Sequence, residues 1–172
     1  LSLSALCLST SDGRIIWQQP IFHVAGKAPL MPRKNSQASP TPIVADGRLY
    51  IHFGHMGTAC LDLSGKIIWK NESIKYPPVH GNGGSPALVN GKLIFSCDGS
   101  KDPFVIALNS RTGQQAWRTK RSVNAKKKFS FCTPLVVEPP NGKQVVLPGS
   151  SMVGAYTPDT GTEIWKVTYG DG

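Results

Sequence analysis

Short apolar runs broken by turn residues organise this chain. Ile43-Val44-Ala45 and Leu49-Tyr50-Ile51 flank Asp46-Gly47, and Ala87-Leu88-Val89 and Leu93-Ile94-Phe95 flank Asn90-Gly91. Leu135-Val136-Val137 and Val145-Val146-Leu147 enclose a third turn that contains Asn141-Gly142. Asp-Gly and Asn-Gly tolerate positive φ at both positions and so close tight antiparallel hairpins. The apolar and β-branched residues on either side are strand formers. No stretch shows a helical period over a useful length. Three hairpins are therefore predicted, each opened by Thr41-Pro42, Ser85-Pro86 or Thr133-Pro134, and their strands are termed A and B.

A second hairpin recurs between them. The four tryptophans, Trp17, Trp69, Trp117 and Trp165, are 52, 48 and 48 residues apart, and each follows a glycine by four residues: Gly13, Gly65, Gly113 and Gly161. Ahead of each glycine stands a small residue, Cys7, Cys60, Ala107 or Ala155. A small residue on one strand, a Gly-closed turn and a strand ending in Trp define strands C and D. A four-stranded antiparallel unit repeating every ~40–50 residues is the signature of a β-propeller blade. The expected fold is all-β, with full blades at 41–69, 85–117 and 133–165 and a half blade at 1–17. Each Trp is expected to cover the small residue of a neighbouring blade.

Composition agrees and narrows the class. The 172 residues are 40% hydrophobic with 18 Gly and 14 Pro, which suits one turn-rich domain and is too apolar for a disordered chain. No apolar run is long enough for a membrane-spanning helix. The Leu3-Cys7 segment lacks the preceding basic residues of an export signal and fits a C strand. The count of strands is three and a half blades, and propellers close with 4–8. The expectation is thus a segment of a longer chain, whose remaining blades lie beyond residue 172 and complete the half blade.

The pattern Ala107, Asn109, Thr112, Gly113 and Trp117, in a blade opened by Gly84-Ser85-Pro86, resembles the pyrroloquinoline quinone (PQQ) propeller repeat. The resemblance covers nearly the whole chain and implies the β-propeller fold. It implies function less sharply, because the repeat serves quinone dehydrogenases, outer-membrane assembly lipoproteins and sensor domains of bacterial kinases. The dehydrogenases carry a vicinal cysteine pair, acidic and amide calcium ligands and an Asp base. This chain has no Cys-Cys dipeptide, and Asp46, Asp62, Asp98 and Asp159 fall in turns or repeat positions. No cofactor and no metal is expected, and the resemblance points to the non-catalytic branch: a binding or scaffold module of an exported bacterial protein, periplasmic, extracellular or membrane-associated. The alternatives are a fragment of a quinoprotein dehydrogenase and a purely structural repeat.

Charge singles out one end of the blades. The net charge is +9, from 19 Lys+Arg against 10 Asp+Glu. In a meander the A-B and C-D turns share one face, and the B-C and D-A connections share the other. The D-A connections, taken as 18–41, 70–85 and 118–133, carry +3, +1 and +6, which exceeds the net charge of the whole chain. Charge on loops held by a rigid scaffold suits an extended anionic partner. The candidate binding residues are Arg33, Lys34, Lys75, His80, Lys120, Arg121, Lys126, Lys127 and Lys128, for a protein, another macromolecule or an anionic ligand. With no helix for the major groove and no aromatic-basic RNA-binding pattern, sequence-specific nucleic-acid reading is not expected. His23, His55 and His80 are expected as solvated loop histidines, and His52-x-x-His55 has no accompanying carboxylates for a metal site. The cysteines are expected as free thiols, with Cys97–Cys132 the one pair placed near enough to bridge.

Overall fold

The computed structural model describes residues 1–26, 31–33, 35–122 and 125–170. Among these described residues fourteen strands form one two-stranded and three four-stranded antiparallel sheets, ordered β1-β2, β3-β4-β5-β6, β7-β8-β9-β10 and β11-β12-β13-β14. Blade 1 is the half blade, β1 (Ser2–Leu8) and β2 (Ile15–His23). Blade 2 holds β3 (Ile43–Ala45), β4 (Arg48–His52), β5 (Thr58–Asp62) and β6 (Ile67–Asn71). Blade 3 holds β7 (Ala87–Val89), β8 (Lys92–Cys97), β9 (Phe104–Asn109) and β10 (Gln115–Lys120). Blade 4 holds β11 (Leu135–Val137), β12 (Gln144–Gly149), β13 (Met152–Tyr156) and β14 (Glu163–Thr168). The fold is all-β, built of antiparallel sheets as the repeat leads one to expect.

The core lies between blades. One cluster joins Leu3, Ala5 and Phe22 of blade 1 to Ile51, Ala59 and Leu61 of blade 2. A second joins Tyr50, Cys60 and Trp69 to Leu93, Phe95, Ile106 and Leu108. A third joins Ile94, Val105, Ala107 and Trp117 to Val145, Leu147 and Tyr156. Both faces of the middle strands are thus buried, which is why β9 reads Phe-Val-Ile-Ala-Leu without polar alternation.

Three features differ from the sequence expectation. The D strands do not end at Trp but run on to His23, Asn71, Lys120 and Thr168, so Lys70, Arg118 and Lys120 sit on strands, not loops. Asp46-Gly47 and Asn90-Gly91 both have positive φ throughout, whereas in the third turn only Gly142 does. Six residues separate β11 from β12 there, and Pro139-Pro140 occupy part of them; proline, fixed near φ −65°, imposes a wider turn.

The third concerns what each Trp covers. The small residue lies opposite Trp on the same blade: Cys7↔Trp17, Cys60↔Trp69, Ala107↔Trp117 and Ala155↔Trp165. The next blade instead offers its turn glycine. The Trp17, Trp69 and Trp117 rings lie over Gly65, Gly113 and Gly161, where an added Cβ would come within 3 Å of the ring. Each indole Nε1 donates to a carbonyl of that same turn, Leu63 at 3.0 Å, Ser110 at 3.0 Å and Pro158 at 2.9 Å. Positive φ and close approach together require glycine there.

Candidate functional site

The loop end of the blades gathers most of the candidate residues and nearly all the buried polar chemistry. Arg33, Lys75 and His80 are exposed on D-A connections, Lys120 is exposed at the end of β10, Lys126 and Lys127 are exposed, and Lys128 is half-buried. Lys34 lies outside the described residues. Lys75 Nζ donates to the His55 carbonyl at 3.3 Å. A cleft of about 500 Å³ opens here, lined by Pro32, Asn35, His80, Gly83 and Phe131. Asn35 fixes its wall, its amide donating to the His80 carbonyl at 2.6 Å. His80 holds φ +64°, a left-handed conformation unusual for a residue with a Cβ. Its ring meets Phe129 edge-on at 5.3 Å, and Phe129 lies 5.8 Å from Phe131.

Arg121 corrects the sequence expectation. Its side chain is 1% exposed and ion-paired through Nη1 with Asp98, itself 1% exposed. Its Nη2 donates to the Leu147 carbonyl of blade 4 at 2.7 Å, and Ser130 donates to the same Asp98 carboxylate. The guanidinium is thereby committed to the fold and unavailable to a partner. Burial pushes the Asp98 carboxyl up, while Arg121 and then Ser130 pull it down. One signal for this was legible: Trp117, Thr119 and Arg121 alternate, so strand periodicity places Arg121 on the buried face of Trp117.

The histidines divide. His80 is exposed, but His52 is buried, its Nδ1 within 2.9 Å of Thr58 Oγ1 and its ring 4.2 Å from Phe95. Burial, helped by nearby His55, pushes the His52 pKa down to about 3, so it is neutral near pH 7. His55 is half-buried, with Nδ1 3.3 Å from Asn82 Oδ1, and burial lowers its pKa too. Among the described residues no group of three or more His, Cys, Asp or Glu is placed to hold an ion. Cys7, Cys60, Cys97 and Cys132 are free thiols, and burial holds Cys97 well above the usual thiol range.

The donor set also bears on the PQQ and calcium of the dehydrogenases. The buried carboxylate Asp98 is paired with Arg121, and the polar cavity beside it, lined by His52, Asn82, Ser96, Asp98 and Ser130, measures about 10 Å³. That is room for about one water, not for a quinone.

The fold is that of a β-propeller arc, and comparison with known proteins agrees. Residues 4–171 match the family model described as outer membrane protein assembly factor BamB, and the chain belongs to this PQQ-like repeat family. Among curated proteins it is similar to the quinoprotein ethanol dehydrogenase of Pseudomonas aeruginosa, 30% identical over 145 residues, covering 76% of this chain and 23% of that protein. Among solved structures it resembles quinohemoprotein alcohol dehydrogenase from Comamonas testosteroni (TM-score 0.67, 16% identity, 98% of this chain and 32% of that one). It also resembles BamB from Moraxella catarrhalis (TM-score 0.61, 17% identity, 96% of this chain and 44% of that one). The chain spans about a fifth of the length of the curated relatives it matches.

Proposed function

We propose that this chain is a non-catalytic propeller segment that binds a macromolecular partner through its loop end, within an exported protein that is periplasmic, extracellular or membrane-associated. The observation that carries this reading is the placement of charge. Arg33, Lys75, Lys120, Lys126 and Lys127 are exposed at the end where the cleft beside His80 and Phe131 opens. Lys128, Lys34 and His80 complete the set, and Arg121 drops out. The partner is a protein or other macromolecule with an anionic surface, and the likeness to an outer membrane protein assembly factor favours a protein. Among the described residues no group of three or more His, Cys, Asp or Glu is placed to hold a metal ion.

Heparin affinity over a salt series tests this. Each neutralised cation releases counterions, so binding should weaken steeply with salt. Replacing Lys126, Lys127 and Lys128 by Ser should weaken binding and flatten the salt slope. Replacing Lys66, Lys92 and Lys143, which lie at the turn end, should leave it nearly unchanged. Equal losses from both triple variants would leave only general attraction to a basic protein.

A second reading, a segment of a quinoprotein dehydrogenase, is favoured by the identity of 30% to such an enzyme. Stoichiometric uptake of PQQ with calcium, followed by absorbance, would establish it over the first.

A further inference from the structure

Two equivalent junctions at the turn end carry opposite chemistry. Where blade 3 meets blade 4, Lys92 follows the Asn90-Gly91 turn and reaches Asp159, in the C-D turn of blade 4, at 2.8 Å. Asn90 donates to the same carboxylate at 3.2 Å. Where blade 2 meets blade 3, Arg48 follows the Asp46-Gly47 turn and corresponds to Lys92. Its Nη1 donates to the Ser110 and Arg111 carbonyls of the blade 3 turn at 3.5 and 3.4 Å. Arg111 stands two residues ahead of Gly113, as Asp159 stands two ahead of Gly161, and Asp46 takes the place of Asn90. The carboxylate that neutralises the basic side chain at one junction is thus replaced by a second guanidinium at the other. Among the described residues neither Arg48 nor Arg111 is ion-paired. A cleft of about 430 Å³ opens between the two turns, lined by Asp46, Arg48, Tyr50, Ser110 and Arg111. Its floor is fixed: Tyr50 is buried with its ring 6.4 Å from that of Trp69, whose Nε1 donates to the Ser110 carbonyl at 3.0 Å. Blades 2 and 3 each pack on a further blade on their other side, so every residue lining the cleft sits at an interior junction.

We propose that this cleft binds a free α-amino acid, its carboxylate taken by Arg48 and Arg111 and its ammonium group by Asp46. Guanidinium groups match a carboxylate through planar, charge-assisted hydrogen bonds. Two cations lining one cleft repel each other until an anion joins them, and Asp159 shows what that anion does at the neighbouring junction. A simple anion would meet the like charge of Asp46. A zwitterion answers all three charged side chains at once. The volume falls within the ~300–1,000 Å³ of small-molecule sites. The site is separate from the loop-end surface and does not rest on its charge.

Nitrogen–proton correlation spectra of the chain, titrated with L-alanine, L-leucine and L-glutamate, test this directly. The expected result is saturable binding of at least one of them, in the millimolar range or tighter. It should shift the indole N–H of Trp69, which donates to the site's Ser110, and leave that of Trp117 in place. Acetate and methylammonium each carry one of the two charges and should bind at least about tenfold more weakly. Arg48→Met and Arg111→Ser should each raise the dissociation constant about tenfold or more. Asp46→Asn should weaken the amino acid but not acetate. Arg111→Asp supplies at this junction the carboxylate that Asp159 supplies at the next, and it should abolish binding with the fold intact by circular dichroism. Should Arg48→Met unfold, the variants at exposed Arg111 carry the test. Failure of all three amino acids to bind, acetate or inorganic phosphate binding as tightly as they do, or binding that survives Arg111→Asp would each overturn the proposal.

Discussion

The two ends of the blades are held together by different physics. At the turn end the buried junctions are neutral, an indole lying on a glycine and donating to a carbonyl three times over, and the ion pair of Lys92 with Asp159 at 2.8 Å sits at the surface. At the loop end the junctions rest on titratable groups placed out of water: Asp98 with Arg121, and His52 beneath Phe95. A neutral contact depends on shape and leaves pH without a lever. A buried charge is tolerated only with its partner in place, whereas an exposed pair such as Lys92 with Asp159 contributes little, so the loop end should respond to pH more strongly than the turn end.

The largest effect is expected from breaking the ion pair. Arg121→Met leaves Asp98 without its counter-charge, and urea melts near pH 7 should show a loss of about 3–5 kcal/mol. The sign of the pH dependence follows. With the guanidinium gone, the folded-state pKa of Asp98 lies further above its unfolded value, so the variant should regain stability as pH falls through that raised pKa. A variant whose loss is independent of pH would remove the contrast between the two ends.

Trp117→Ala should be comparable, about 3–5 kcal/mol, with no such pH response. The same change at the half-exposed Trp165 should cost under about 1 kcal/mol, since little is buried there. Equal losses at Trp117 and Trp165 would show that the glycine contact contributes nothing beyond the indole itself.

His52 gives a smaller but continuous effect. Its folded-state pKa is depressed to about 3, so its contribution is complete above the ordinary histidine pKa near 6.5 and is lost as pH falls from there toward 3. A His52→Gln variant should flatten the stability–pH curve across that window. The smallest effect belongs to the surface: the Lys126, Lys127 and Lys128 triple Ser variant should shift stability by less than about 0.5 kcal/mol while weakening polyanion binding.

The same contrast governs how much the sequence disclosed. The turn end is local chemistry: Asp46-Gly47, Asn90-Gly91 and the Gly-to-Trp interval each write their geometry within a few residues, and the blades emerge from them. The third A-B turn escaped because Pro139-Pro140 override the Asn-Gly signal beside them. The loop end is non-local. Asp98 and Arg121 are 23 residues apart, and Arg121 stands in a run of basic residues that looks like a solvated surface. Only the strand continuing past Trp117, under the same alternation, reveals that it turns inward. The partner of each Trp was misassigned for a related reason. Pairing within a blade and stacking between blades both repeat with the same period, so spacing alone does not separate them.

The C-D hairpins carry one more shared feature. In all four, the register slips beside the small residue: at Cys7/Leu8, Cys60/Leu61, Gln115/Trp117 and Ala155/Tyr156. A slip of this kind increases local twist, and a strongly twisted border is a poor template for further strands. The outer strands β2, β6, β10 and β14 therefore resist adding chains, and the inner strands β3, β7 and β11 are only three residues long. The three full blades are thus guarded against amyloid-like growth along both of their borders, so that their adhesive surfaces are the faces of the sheets and not their edges.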